Sequence, residues 1–98
     1  MGSTEAPVNP THTTASMTTA SGTVLAANLA RRSALVVNDG AVDVYINLSA
    51  TAVANQGIRI NANGGSHAIS PAYGNLYLGI ITGITSVGTA TMLVTESV

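Results

Sequence analysis

Residues 34–48, ALVVNDGAVDVYINL, decide how the rest of the chain is read. An apolar run, 34–37, meets the cluster Asn38-Asp39-Gly40, and beyond it the residues alternate. Val42, Val44, Ile46 and Leu48 share one parity; Asp43, Tyr45 and Asn47 share the other. A period of two marks a half-buried strand, because successive side chains leave a pleated backbone on opposite sides. Gly40 accepts positive φ without a Cβ clash, and Asn38 and Asp39 tolerate turn geometry. The stretch therefore predicts a β-hairpin, with its aliphatic parity facing the core and Tyr45 and Asn47 facing out.

Working outward, the same kind of signal repeats. Residues 57–60 predict a short strand with Ile58 and Ile60 inward, and Asn63-Gly64-Gly65 predicts a turn. Residues 66–70 form another short strand. Residues 75–81 alternate Leu76, Leu78 and Ile80 against Tyr77, Gly79 and Ile81, with a turn at 82–88. Residues 89–96 close the series, and 23–27 open it. Seven or eight short strands with Gly-containing turns and no helix predict an all-β fold, a small β-sandwich or jelly-roll-like barrel. Strand number alone does not choose between jelly-roll and immunoglobulin-like topologies.

Residues 1–20 differ. Two of the chain's prolines, Pro7 and Pro10, lie here among Thr and Ser, with no apolar periodicity. Composition predicts an extended N-terminal arm ahead of a sandwich domain at 21–98. Such an arm has little of its own to bury and is expected along a neighbouring subunit, the alternative being packing back onto its own domain.

The whole chain has 98 residues, enough for one small domain. With no Phe, Trp or Cys, the core must be aliphatic, and neither a disulfide framework nor a thiolate metal site is available. No apolar run approaches the roughly 20 residues of a membrane helix, and the N-terminus lacks a signal peptide's apolar core. Charged residues make up 7% of the chain, against about 25% in typical domains. Lys is absent, and the formal net charge is −1. Three arginines without interleaved aromatics do not make a phosphate-binding patch, so nucleic acid is not expected as a partner. So little charge gives weak protection against association, and strand edges without Lys or Pro invite pairing. Self-association or a large protein partner is the expectation.

Chemistry-bearing residues are sparse. His12 lies in the arm, and His67 follows the Gly-Gly turn with Ser66 on the opposite parity. Neither has a nucleophile or orienting carboxylate nearby in sequence, so no catalytic set is predicted. Asp39 and Asp43 are too few for a calcium loop and are expected as solvated turn residues. The sequon-like Asn47-Leu48-Ser49 carries little weight without a secretory signal. No cofactor or metal is expected. The partner-binding candidates are Pro7, Pro10 and His12 in the arm, the adjacent Arg31 and Arg32, and Tyr45, Asn47 and Tyr77. On an extended strand one arginine of the pair points to solvent and the other to a partner or an inward carboxylate. Tyr45 and Tyr77, on the outward parity, would serve as interface anchors.

Taken in order, VLAANLARRSALVVND, VDVYINL, GIRINANGG, the Gly-Asn-Leu-Tyr-Leu-Gly segment and GTATMLVTE resemble small virion proteins of tailed bacteriophages, among them capsid decoration (cement) proteins. The resemblance spans roughly residues 23–96 and excludes the arm. It implies a non-enzymatic β-sandwich on the outer capsid surface, assembled in the host cytoplasm. It would oligomerise, often as a homotrimer, and clamp subunits of the major capsid protein. Related modules occur in tails and fibres, so the alternative expectation is a host-recognition (adhesion) module.

Overall fold

A computed structural model describes residues 9–98. Eight strands follow one another: β1 (Pro10–Met17), β2 (Gly22–Leu25), β3 (Ser33–Asn38), β4 (Val44–Asn47), β5 (Ile58–Ile60), β6 (Ser66–Ile69), β7 (Ile81–Thr85) and β8 (Ala90–Ser97). A single 3-10 turn, Pro71–Tyr73, interrupts the β6–β7 connection. The strands form two four-stranded antiparallel sheets, β1-β8-β3-β6 and β2-β7-β4-β5. The first strand pairs with the last, the second with the seventh, the third with the sixth and the fourth with the fifth. The chain is thus one long folded-over ribbon, and this nesting is the eight-stranded jelly roll among the sandwich topologies.

Alternation explains each layer. Ala34, Val36 and Asn38 of β3, Ala90, Met92 and Val94 of β8, and Val44 and Ile46 of β4 are buried. With Met17, Val24, Ile60, Ile69 and Ile81 they form one aliphatic core between the sheets. Losing one of the larger members to Ala costs about 2–5 kcal/mol in such cores. Gly83 is needed at the centre: a Cβ there would lie 2.5 Å from Met17 Sδ and 2.8 Å from Val24 Cγ2. The missing side chain is the space those two fill.

The predicted hairpin at 34–48 is not one. β3 and β4 are strands, but they lie in opposite sheets, and the residues between them arch across the core. A period of two reports which side chains are buried, not whether the partner strand lies beside or opposite. Gly40 is required for a different reason than turn geometry. Its φ is not positive; a Cβ would stand 2.5 Å from Ala90 Cβ and 2.7 Å from its Cα. Leu48, placed inward by parity, is exposed because β4 ends at Asn47.

The division between an arm at 1–20 and a domain at 21–98 also changes. Residues 10–17 are β1, paired along their whole length with β8, and Met17 is a fully buried core residue. Thr-rich composition hid a strand, although Thr suits a pleated surface well. Pro7 and the rest of residues 1–8 lie outside the described residues.

The strand expected at 75–81 is irregular, and β7 occupies part of the expected turn at 82–88. The backbone of 75–80 is hydrogen-bonded outside any ladder: the Leu78 carbonyl accepts from Asn28 N–H at 2.8 Å, and those of Tyr77 and Gly79 accept from Arg31. β7 is buried on both faces. Segment 48–56 lies against its outer side, with Thr82 donating to the Ser49 carbonyl at 3.0 Å and Ala52 N–H donating to Ser21 Oγ at 2.8 Å. A strand covered twice loses the polar parity that would reveal it.

Candidate interaction surface

The two sheets present different outer faces. That of β2-β7-β4-β5 is overlaid by segment 48–56. Asn47 is committed there, its Nδ2 donating to the Gln56 carbonyl at 3.1 Å. Tyr45 is half-buried on β4, opposite Arg59 in one neighbour and Ile84 in the other. Neither residue stands free on an open face.

The outer face of β1-β8-β3-β6 is open. Register places Leu93 between Thr14 and Val37, and Thr95 between His12 and Leu35. Ser66 and Ala68 extend these rows on β6, beyond Val37 and Leu35. Leu35 and Leu93 are each 40% exposed. Close by, the 3-10 turn holds out Tyr73, 70% exposed. Ser70 shapes this turn, its hydroxyl accepting from Tyr73 N–H and its own N–H donating to Asn75 Oδ1 at 3.0 Å. His12 is exposed, and its Nδ1 meets Thr95 Oγ1 at 2.9 Å, tying β1 to β8 across the face.

These outward positions are hydroxyl, aliphatic or imidazole; no Arg, Asp or Glu stands among them. The charges among the described residues sit elsewhere. Asp39 and Asp43 lie in the arch, where Asp43 Oδ1 accepts from Ala62 N–H at 2.9 Å instead of being merely solvated. Arg59 is on the opposite sheet. Arg31 is only 2% exposed and pairs through Nε with Glu96 Oε2 at 2.7 Å. Its remaining donors reach the carbonyls of Ala26, Tyr77 and Gly79.

Arg31 therefore faces inward to a carboxylate and is not presented to a partner. It joins the β2–β3 loop, the β6–β7 connection and β8 at one buried point. Arg32 is half-buried at the start of β3, its N–H donating to the Ser97 carbonyl at 2.8 Å. Tyr77, expected outward, packs against the core instead, because 75–80 is not a strand and parity has no meaning there. Pro10 is exposed at the first position of β1.

The surface thus brings His12 together with Leu35, Val37, Leu93 and Tyr73, four residues that parity assignments did not single out. A usable signal existed. Residues 34–37 are apolar at both parities, and in a two-layer sandwich only one parity of a strand packs inward, so the other must face out. Among the described residues, no group of three or more His, Asp or Glu side chains could hold a metal ion. Compared with protein-family models, curated proteins and solved structures, the chain matches none.

Proposed function

We propose that this protein is a structural component of a tailed-phage virion, a decoration protein that seats on the major capsid protein through the outer face of β1-β8-β3-β6. The observation that carries this reading is that face itself: exposed Leu35 and Leu93 among Thr and Ser, with no charged side chain. Burying it costs no ion desolvation, and apolar area supplies the attraction. Monomers rarely leave contiguous apolar surface without a use for it. The jelly-roll topology is one that viral capsid domains use, which supports the reading as analogy of fold and not of site. A stable contact needs about 800 Å² per partner, and repetition over a shell multiplies a weak individual contact through avidity.

The test is co-sedimentation with shells of the tailed phage that encodes the chain, stripped of this protein. Wild type should pellet with the shells, and Leu93→Asp, which places a charge at the centre of the face, should stay in the supernatant while keeping its β-type circular dichroism. Binding of wild type to host cells, with no affinity for shells, would replace this reading by the tail or fibre adhesion module.

A further inference from the structure

Four strands stand at sheet edges, and three of them are protected. β2 has four residues with a register break between Thr23 and Leu25, β5 has three and carries exposed Arg59, and β6 has four and stops before Pro71. Short length, bulges and charge are the usual means of preventing edge-to-edge pairing. Apart from Pro10 at its very first position, β1 has none of these. It runs for eight residues in unbroken register with β8, carries no charge, and is exposed from Pro10 through Thr14.

The ladder shows which backbone groups are free. Asn9 N–H donates to the Val98 carbonyl at 3.0 Å and Val98 N–H returns to Asn9 at 3.3 Å, so this is a bonded pair. Bonded and non-bonded pairs alternate in an antiparallel ladder. Thr11, Thr13, Ala15 and Met17 therefore face β8, while the N–H and C=O groups of His12, Thr14 and Ser16 point to the open edge. No strand among the described residues meets them.

We infer that β1 pairs with β1 of a second copy, antiparallel about a two-fold axis at Thr14, joining the two outer sheets into one eight-stranded sheet. In that register Thr14 exchanges both backbone bonds with its own copy and His12 faces Ser16. A homotypic pair sets each residue near the axis against itself or its close neighbours, so any charge there would repel. An uncharged Thr-rich strand suits it, and Thr pairs across strands are favourable. A two-fold contact of this kind is closed and needs no second patch. It would also bring the Leu35–Leu93 faces of both copies side by side, doubling the area offered to a shell. The pairing goes beyond the capsid reading and does not depend on it.

Sedimentation equilibrium tests it on the intact chain. Wild type should show a concentration-dependent dimer. Thr14→Pro removes an N–H that β8 does not use, and edge positions tolerate Pro. It should weaken the dimer about tenfold or more, with unchanged circular dichroism. Thr14→Lys places two charges at the axis and should do the same if the proline variant misfolds. Because the chain has no cysteine, Thr14→Cys should form a disulfide dimer on mild oxidation, and Val53→Cys on the covered sheet should not. A monomeric wild type overturns the proposal, as do dimers that survive Thr14→Pro or Thr14→Lys. Because Thr14 borders Leu93 on the outer face, sedimentation and cross-linking decide the pairing, and shell binding does not.

Discussion

Asn38 is where single side chains matter most. It is 0% exposed, and its Nδ2 donates to the carbonyls of Val42 at 2.8 Å and Ile60 at 2.9 Å while Oδ1 accepts from Gly40 N–H at 2.9 Å. One amide thereby fixes the arch and links a strand of one sheet to a strand of the other. Asn38→Ala should cost about 1–3 kcal/mol for each carbonyl left without a donor, read as a lower urea midpoint. Asn38→Asp keeps the acceptor but loses the donors and should be no better. Arg31→Ala should cost about 3–5 kcal/mol, because it strands Glu96 in a partly buried site along with three carbonyls. Gly40→Ala should destabilise through its clash with Ala90. In sequence Asn38 looks like a turn residue, and nothing says which of Arg31 and Arg32 is the one that turns inward to a carboxylate. Their burial depends on strands far along the chain, β5 and β8, which local pattern does not contain.

At the scale of elements, β1 changes what truncation does. Removing residues 1–20 takes away an edge strand and Met17, and should lower the thermal midpoint sharply or abolish the cooperative transition followed by circular dichroism. An arm independent of the domain would instead give two equal melts. β4, β5 and β8 were legible because one face of each is wetted more than the other, which writes a parity into the sequence, whereas β3 and β6 were legible as short runs bounded by the turn residues 38–40 and 63–65. β1 was not, since Thr and Ser on both parities conceal which side is inward. β7 was not, since both of its faces are covered. The arch between β3 and β4 was not, since a hairpin and an arch demand the same alternation.

At the scale of the molecule, the fold sorts its few charges away from one face. Among the described residues, Arg31 and Glu96 neutralise each other inside, Arg59 sits on the other sheet, Arg32 lies half-buried just ahead of β3, and Asp39 and Asp43 occupy the arch. Docking through the open face should therefore be driven by apolar area and be nearly insensitive to salt, whereas charge-steered binding would weaken steeply as salt rises. Wild-type binding to shells compared at low and high salt separates the two. The all-β class was readable from spacing and alternation, while the doubly apolar run 34–37 marked only part of the face, because its full extent depends on which sheet segment 48–56 covers. The most direct measurement is the co-sedimentation of wild type and Leu93→Asp with stripped shells. Wild type should saturate the shells and Leu93→Asp, folded and soluble, should fail to bind; equal binding by both proteins would contradict docking through this face.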